Sequence, residues 1–193
     1  MVARRLFVAL EPPETVRRRL GAIAAELRRG AARAADEIRW VEPERIHLTL
    51  QFLGAVPEER IAAIERALRL AAGAARPLAL EVRGAGGFPN ARRPRVLWAG
   101  VEGDLAALGA LVADVGRRLG PLGFPPEDRP FSPHLTLGRA RDGRGAPGLG
   151  GGLARAAQVD GAPWRATELV LFESHLSPRG PRYEALARLA LGA

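Results

Sequence analysis

Hydrophobic and polar positions change period repeatedly along this chain, and each change predicts an element. Arg4 to Leu10 is rich in Leu, Phe and Val and reads as a strand. Pro12-Pro13 then opens a helix that carries Leu20, Ile23, Ala24 and Leu27 at helical spacing until Gly30 stops it. Ile38 to Val41 is a short extended piece, and Ile46 to Leu53 a second strand. Gly54 and Pro57 punctuate, and a helix from about Glu58 to Ala72 sets Ile61, Ile64 and Leu68 on one face. Leu78 to Val82 reads as a further strand, followed by a loop through Gly84, Gly86, Gly87 and Pro89.

The cycle then begins again. The stretch from Val96 to Glu102 echoes the stretch from Arg5 to Glu11, with Leu6 matched to Leu97, Phe7 to Trp98 and Glu11 to Glu102 at a constant offset of 91 residues. Both strands lead into an amphipathic helix, the second over about Leu105 to Leu119. Each helix is followed by a linker and then by the tetrapeptide His-Leu-Thr-Leu, beginning at 47 and at 134, 87 residues apart. An internal duplication with repeats starting near residues 5 and 96 accounts for this spacing. Arg141 to Gly152 holds six glycines and one proline and predicts a mobile surface loop. Glu168 to Leu176 reads as a strand, and Tyr183 to Leu191 closes the chain as a strand or short helix. The expected fold class is therefore α+β: one bilobal domain over 1–193, its two pseudo-duplicated lobes contributing antiparallel sheets that flank a central cleft, with helices packed outside.

Composition narrows the chemistry. At 193 residues with 47% hydrophobic and 26% charged positions, the chain is long enough for a sizeable core and is neither disordered nor membrane-like. Its longest apolar runs fall far short of a membrane span and of a signal-peptide core, so the expected location is cytoplasmic, with no membrane partner. Cysteine is absent, which excludes disulfides, thiolate catalysis and cysteine-ligated metals, and only three histidines are present. All 29 basic residues are arginine, and the net charge is +8. Guanidinium forks match phosphate oxygens in a bidentate way, so the charge favours polyanionic partners; a solvated arginine-biased surface is the plainer reading.

The paired tetrapeptides give that preference a site. Along a strand, residues two apart share a face, so His47 joins Thr49 while Leu48 and Leu50 point the other way. His134 and Thr136 stand in the same relation to Leu135 and Leu137. If a pseudo-twofold axis relates the copies, four polar side chains converge in one groove. Histidine serves as base or acid near neutral pH, and two of them across one phosphorus permit in-line displacement. Threonine hydroxyls can donate to the non-bridging oxygens, where charge accumulates in the transition state. One His-x-Thr on a strand is a weak signal; two identical copies at matched places are a strong one. The symmetry leaves open which histidine is acid and which is base.

On these residues the sequence resembles the two-histidine phosphoesterase superfamily, and within it the RNA 2′,3′-cyclic phosphodiesterases, also called 2′-5′ RNA ligases. The likeness runs through Arg5 to Ala9, Arg39-Trp40-Val41, His47 to Gly54, Leu97 to Gly100, Ser132 to Arg139, Ser174, Leu176 and Gly180 to Tyr183. It implies a bilobal α+β fold with both motifs lining a cleft. It also implies metal- and ATP-independent hydrolysis of RNA 2′,3′-cyclic phosphate ends to 2′-phosphomonoesters, with no cofactor. By the same resemblance His47 is the proton donor to the leaving 3′ oxygen, and His134 is the proton acceptor that activates water. Weak, reversible joining of RNA ends through a 2′-5′ linkage is implied as well. The partner expected is RNA bearing 2′,3′-cyclic phosphate or 2′-phosphate ends, and the protein is expected to act as a monomer.

Other residues carry two readings each. Arg139, five residues after His134, is a candidate phosphate clamp or one more solvated arginine. Phe7 is a candidate for stacking on a nucleobase, with core packing the commoner role for phenylalanine on a strand. Trp40 and Trp98 read as packing, His175 lacks a following threonine and gets no catalytic role, and Arg92, Arg93 and Arg95 form a basic loop. Three further functions compete with the RNA-end phosphodiesterase. They are hydrolysis of a small cyclic nucleotide, RNA binding without catalysis and, more distantly, a metal-dependent hydrolase.

Overall fold

The computed structural model describes residues 3–159, 161–175, 177 and 180–192; Leu176 of the motif stretches lies outside them. The elements are, in order, β1 (Ala3–Leu10), α1 (Glu14–Ala31), β2 (Ile38–Trp40), β3 (Leu48–Pro57), α2 (Glu58–Ala74), β4 (Leu78–Phe88), β5 (Val96–Gly103), α3 (Leu105–Leu119), β6 (His134–Ala140), α4 (Gly150–Ala156), β7 (Ala162–Ala166), β8 (Glu168–His175) and β9 (Arg182–Ala190). The final segment, open between strand and helix in the sequence, is strand β9, paired with β8 along nearly its whole length.

The strands form two antiparallel halves, β7-β4-β5-β6 and β3-β1-β8-β9. The halves meet at β6 and β3 through the single register pair Leu48–Leu135, so the two expected sheets share one continuous strand order. The same edge of β6 pairs with β2 further along, from Gly138 to Ala140. With β2 inserted there, β3 and β6 part company beyond their one shared pair, and a cleft opens where they diverge. The order within each half mirrors the other about this join: β1 and β5 are the second strands, and β8 and β4 the third. Helices cross between halves. α1 leaves β1 yet packs on β4, β7 and α4, whereas α2 packs on β3, β8, β9 and α3.

Alternation along the strands sorts the side chains as the pattern predicts. Leu6, Val8 and Leu10 of β1, Leu48 and Leu50 of β3, and Leu135 and Leu137 of β6 face the helices in the main core. Phe7, Ala9, Val170 and Phe172 face the other way and form a separate apolar cluster, packed with Tyr183 and Ala185. That second cluster floors one side of the cleft.

Several segments depart from expectation: β3 runs on past Leu53 to Pro57, and two others differ for reasons of glycine chemistry. β4 does not stop at Val82 but continues to Phe88, because Gly84 at φ 71 accommodates an irregularity in its pairing with β5. The glycine-rich stretch after Arg141 is not wholly a mobile loop. Its last glycines begin α4, whose Gly152, Leu153 and Ala156 are buried against α1. A Cβ on Gly30 would come within 2.6 Å of the Gly152 Cα, so these glycines let two helix backbones touch. β7 was not foreseen either; Pro163 masks it, and it pairs only with β4, at the edge where proline is tolerated.

Candidate active site

His47 precedes β3 by one residue and His134 opens β6. With Leu48 opposite Leu135, one further step of antiparallel register in each direction sets His47 against Thr136 and Thr49 against His134. The two histidines then lie diagonally across the join, near enough for the charge of His134 to be felt at His47. The four residues expected to converge are brought to this join, and both threonines are half-buried there.

Each imidazole is fixed the same way. The Nδ1 of His47 lies 2.9 Å from the Arg45 carbonyl oxygen, and the Nδ1 of His134 lies 2.8 Å from that of Ser132. A carbonyl only accepts, so Nδ1 carries the hydrogen in both rings. Nε2 is left as the reactive atom on each side, able to take a proton or, once protonated, to give one. In both motifs the carbonyl two residues upstream of the histidine lies within reach of the ring.

The surroundings differ. His47 stacks on Phe7 at 4.6 Å between centroids, meets Tyr183 edge-on at 5.0 Å and has Phe172 at 6.2 Å. Burial in this aromatic corner pushes the His47 imidazole down to about 4, against the pull of the Arg45 carbonyl and aided by the charge of Arg139. Tyr183, raised by the same burial, keeps its phenolic proton. His134 has one aromatic neighbour, Phe88, edge-on at 5.0 Å, with Trp98 behind it at 5.3 Å from Phe88.

Arg139 reaches the cleft by a route that simple alternation hides. Five residues from His134 is an odd number, which on a regular strand means the opposite face. The register of β6 against β5 skips Leu137, pairing Trp98 with Thr136 and Leu97 with Gly138. This bulge resets the parity, so Arg139, opposite Val96, joins His134 and Thr136 on the cleft face. β3 does the same against β1, skipping Leu50. Phe52, five residues after His47, is thereby turned onto the cleft face opposite Phe7, and it is 55% exposed. The bulge also drives Gln51 into the core, where its amide donates to the carbonyls of Phe124 and Pro125 at 3.0 and 3.1 Å. Gln51 thus ties the first motif strand to the loop that delivers His134.

Phe7 is only 3% exposed, with its ring against His47 and Phe172. It occupies the packing alternative and holds the His47 ring; the aromatic surface open to a ligand belongs to Phe52. Sequence reasoning passed over Phe52, although continuing the alignment of the two motifs one residue past Gln51 and Gly138 sets it beside Arg139. His175 lies away from this group, its Nε2 3.3 Å from Glu184 and 3.6 Å from Glu173. Among the described residues no three His, Asp or Glu side chains gather as metal ligands.

Comparison with known proteins bears on this geometry. The family model for LigT-like phosphoesterases matches residues 10–98 and 101–183. A Thermus thermophilus protein named RNA 2′,3′-cyclic phosphodiesterase is 37% identical, with 97% of this chain and 90% of the relative aligned. Another of the same name, from Archaeoglobus fulgidus, is 35% identical over 94% of this chain and 97% of its own length. Among solved structures, TT0787 of Thermus thermophilus superposes with a TM-score of 0.78 at 30% identity, covering 97% of this chain and 98% of that one. Escherichia coli LigT complexed with 3′-AMP superposes at 0.72 and 28% identity, covering 99% of both chains.

Proposed function

The chain belongs to the LigT-like phosphoesterase family, and from that premise we propose that it is an RNA 2′,3′-cyclic phosphodiesterase working through His47 and His134. The observation that carries the reading is the pair of imidazoles across the β3–β6 join, each with Nδ1 tied to a backbone carbonyl, which leaves Nε2 for the chemistry.

Hydrolysis proceeds by in-line displacement at the cyclic phosphorus. Water attacks opposite the 3′ oxygen, His134 Nε2 takes the water proton, and the P–O3′ bond breaks. His47 Nε2 delivers a proton to the departing 3′ oxygen, leaving a 2′-phosphomonoester. The division of roles follows the family resemblance. It has a physical corollary: the desolvated His47 is neutral in the free protein at neutral pH. As the acid it acquires its proton alongside the anionic phosphate, whose charge offsets the cost of an imidazolium in the aromatic corner. Thr49 and Thr136 donate to the non-bridging oxygens, and Arg139 binds the phosphate charge beside them. Phe52, exposed on the same face, offers its ring to the nucleobase. With an RNA 5′-hydroxyl in place of water, the same displacement joins two ends through a 2′-5′ linkage. No metal or nucleotide cofactor enters these steps, and the protein proposed here acts as a monomer in the cytoplasm. The matched motifs and mirrored strand order support descent of the two halves from one duplicated unit.

The deciding experiment is hydrolysis of an oligonucleotide ending in adenosine 2′,3′-cyclic phosphate, in EDTA, by the wild type, His47→Ala and His134→Ala. A 2′-phosphate product, with each variant slower by about 10²–10⁴-fold, is the expected result. An inactive wild type, or a variant at full rate, would overturn the mechanism.

A further inference from the structure

We infer that the cationic path running from Arg139 through Arg39 to the free edge of β2 binds the RNA backbone on the 5′ side of the cyclic end, with Arg39 taking the phosphate next to the reacting one. This rests on the phosphodiesterase reading above and adds a backbone-binding residue to its site.

Arg39 and Arg139 are direct cross-strand partners in the β2–β6 pair. Directly opposed residues share a face, and their neighbours identify which one. Gly138 presses against the Ile38 and Trp40 side chains on the core side, so the two arginines lie on the cleft side. Like charges directly opposed across a pair of strands destabilise it. Both arginines are exposed, and neither has a carboxylate partner in any ion pair among the described residues. A bound polyanion relieves that repulsion and explains why two guanidinium groups sit side by side at the end of a catalytic strand. Arg139 is close enough to His47 to depress its titration, which fixes one end of the path at the reacting phosphate. Arg39, about 5 Å further across the sheet, is then placed for the next phosphate along the chain.

Beyond Arg39 the path continues. Among the described residues β2 pairs only with β6, and at its open edge lies a groove of about 770 Å³ lined by Arg28, Asp36, Arg39, Trp40, Glu42 and Arg141, among others. On the helix side of this edge Arg28 holds its guanidinium 4.6 Å from the Trp40 ring, which adds a further cation to the groove. Arg141 is held in place by its Nε donating to the Asp36 carbonyl at 3.1 Å. Asp36 and Glu42 make the groove more than a phosphate trap, since their carboxylates can accept from ribose 2′-hydroxyls or base amino groups.

The test compares adenosine 2′,3′-cyclic phosphate with the dinucleotide that adds one adenosine and one phosphate on its 5′ side. The wild type should show a kcat/KM about tenfold higher for the dinucleotide, a preference that shrinks as salt rises. Arg39→Ala should bring the ratio of the two substrates to near one, while Arg69→Ala, on the exposed face of α2, leaves the ratio at its wild-type value. A wild type that hydrolyses both equally, or an Arg39→Ala protein that keeps the preference, overturns the inference and leaves the phosphodiesterase reading intact. A wild type inactive on both removes that reading and this inference with it.

Discussion

The two halves of the cleft carry the same tetrapeptide in opposite settings. Around His47 the floor is Phe7, Phe172 and Tyr183, with Phe52 standing open at the rim. Around His134 there is one aromatic contact, and the matching rim position is Arg139. Both strands bulge three residues after their histidine, at Leu50 and Leu137, so the same backbone device presents a phenyl ring on one side and a guanidinium on the other. A symmetric pair of histidines cannot tell one end of a cyclic phosphate from the other. The rim can: an aromatic surface suits the base and a cation suits the phosphate, which orients the nucleotide between the two Nε2 atoms. The symmetry supplies the reacting groups and the asymmetry supplies direction.

Breaking each rim separately should give effects of different kind and size. Removing the cation is the larger. Arg139→Ala should lower kcat/KM by about 10–100-fold, since charge-assisted hydrogen bonds to a phosphate contribute about 1.5–3 kcal/mol. It should also let the His47 titration rise, because the Arg139 charge helps hold it down; histidine NMR titration reads that shift directly. An unchanged His47 in this variant would mean the guanidinium does not face the cleft. Phe52→Ala should cost less, about tenfold and mainly in KM, as expected for loss of one base-stacking surface. If Phe52→Ala lowered kcat at unchanged KM, the ring would be shaping the histidine corner instead of holding a base.

Much of this was legible in the sequence because it depends on period alone. Alternation placed His47 with Thr49 and His134 with Thr136, and the 91-residue echo anticipated β1 and β5 as matched strands. What period cannot show is a change of period. Arg139 was singled out by its distance from His134, yet its face depends on a bulge at Leu137 that no residue type announces. Phe52 was missed for the same reason: strict alternation would give it the face opposite Thr49, and only the bulge at Leu50 exposes it. The run of glycines before Leu153 reads as punctuation, whereas three-dimensional packing uses Gly30 and Gly152 to bring α1 and α4 into contact. The burial of Phe7 follows from β8 and β9 pairing beside β1, a contact between the two ends of the chain that local patterning does not encode.

The aromatic packing around His47 also has a signature in stability. An unfolded histidine titrates near 6.5, and burial brings His47 in the folded chain to about 4. The folded state therefore resists the proton that the unfolded state accepts. Stability contributed by keeping this ring neutral is present above about pH 6.5 and is lost as the pH falls toward 4. His47→Gln has no such group, so it should lack this part of the acid destabilisation while sharing all the carboxylate contributions. Urea unfolding at pH 7.5 and pH 4.5 should show the wild type losing about 1–3 kcal/mol more than His47→Gln between the two conditions. Equal losses would mean that water reaches the His47 ring despite Phe7, Phe172 and Tyr183.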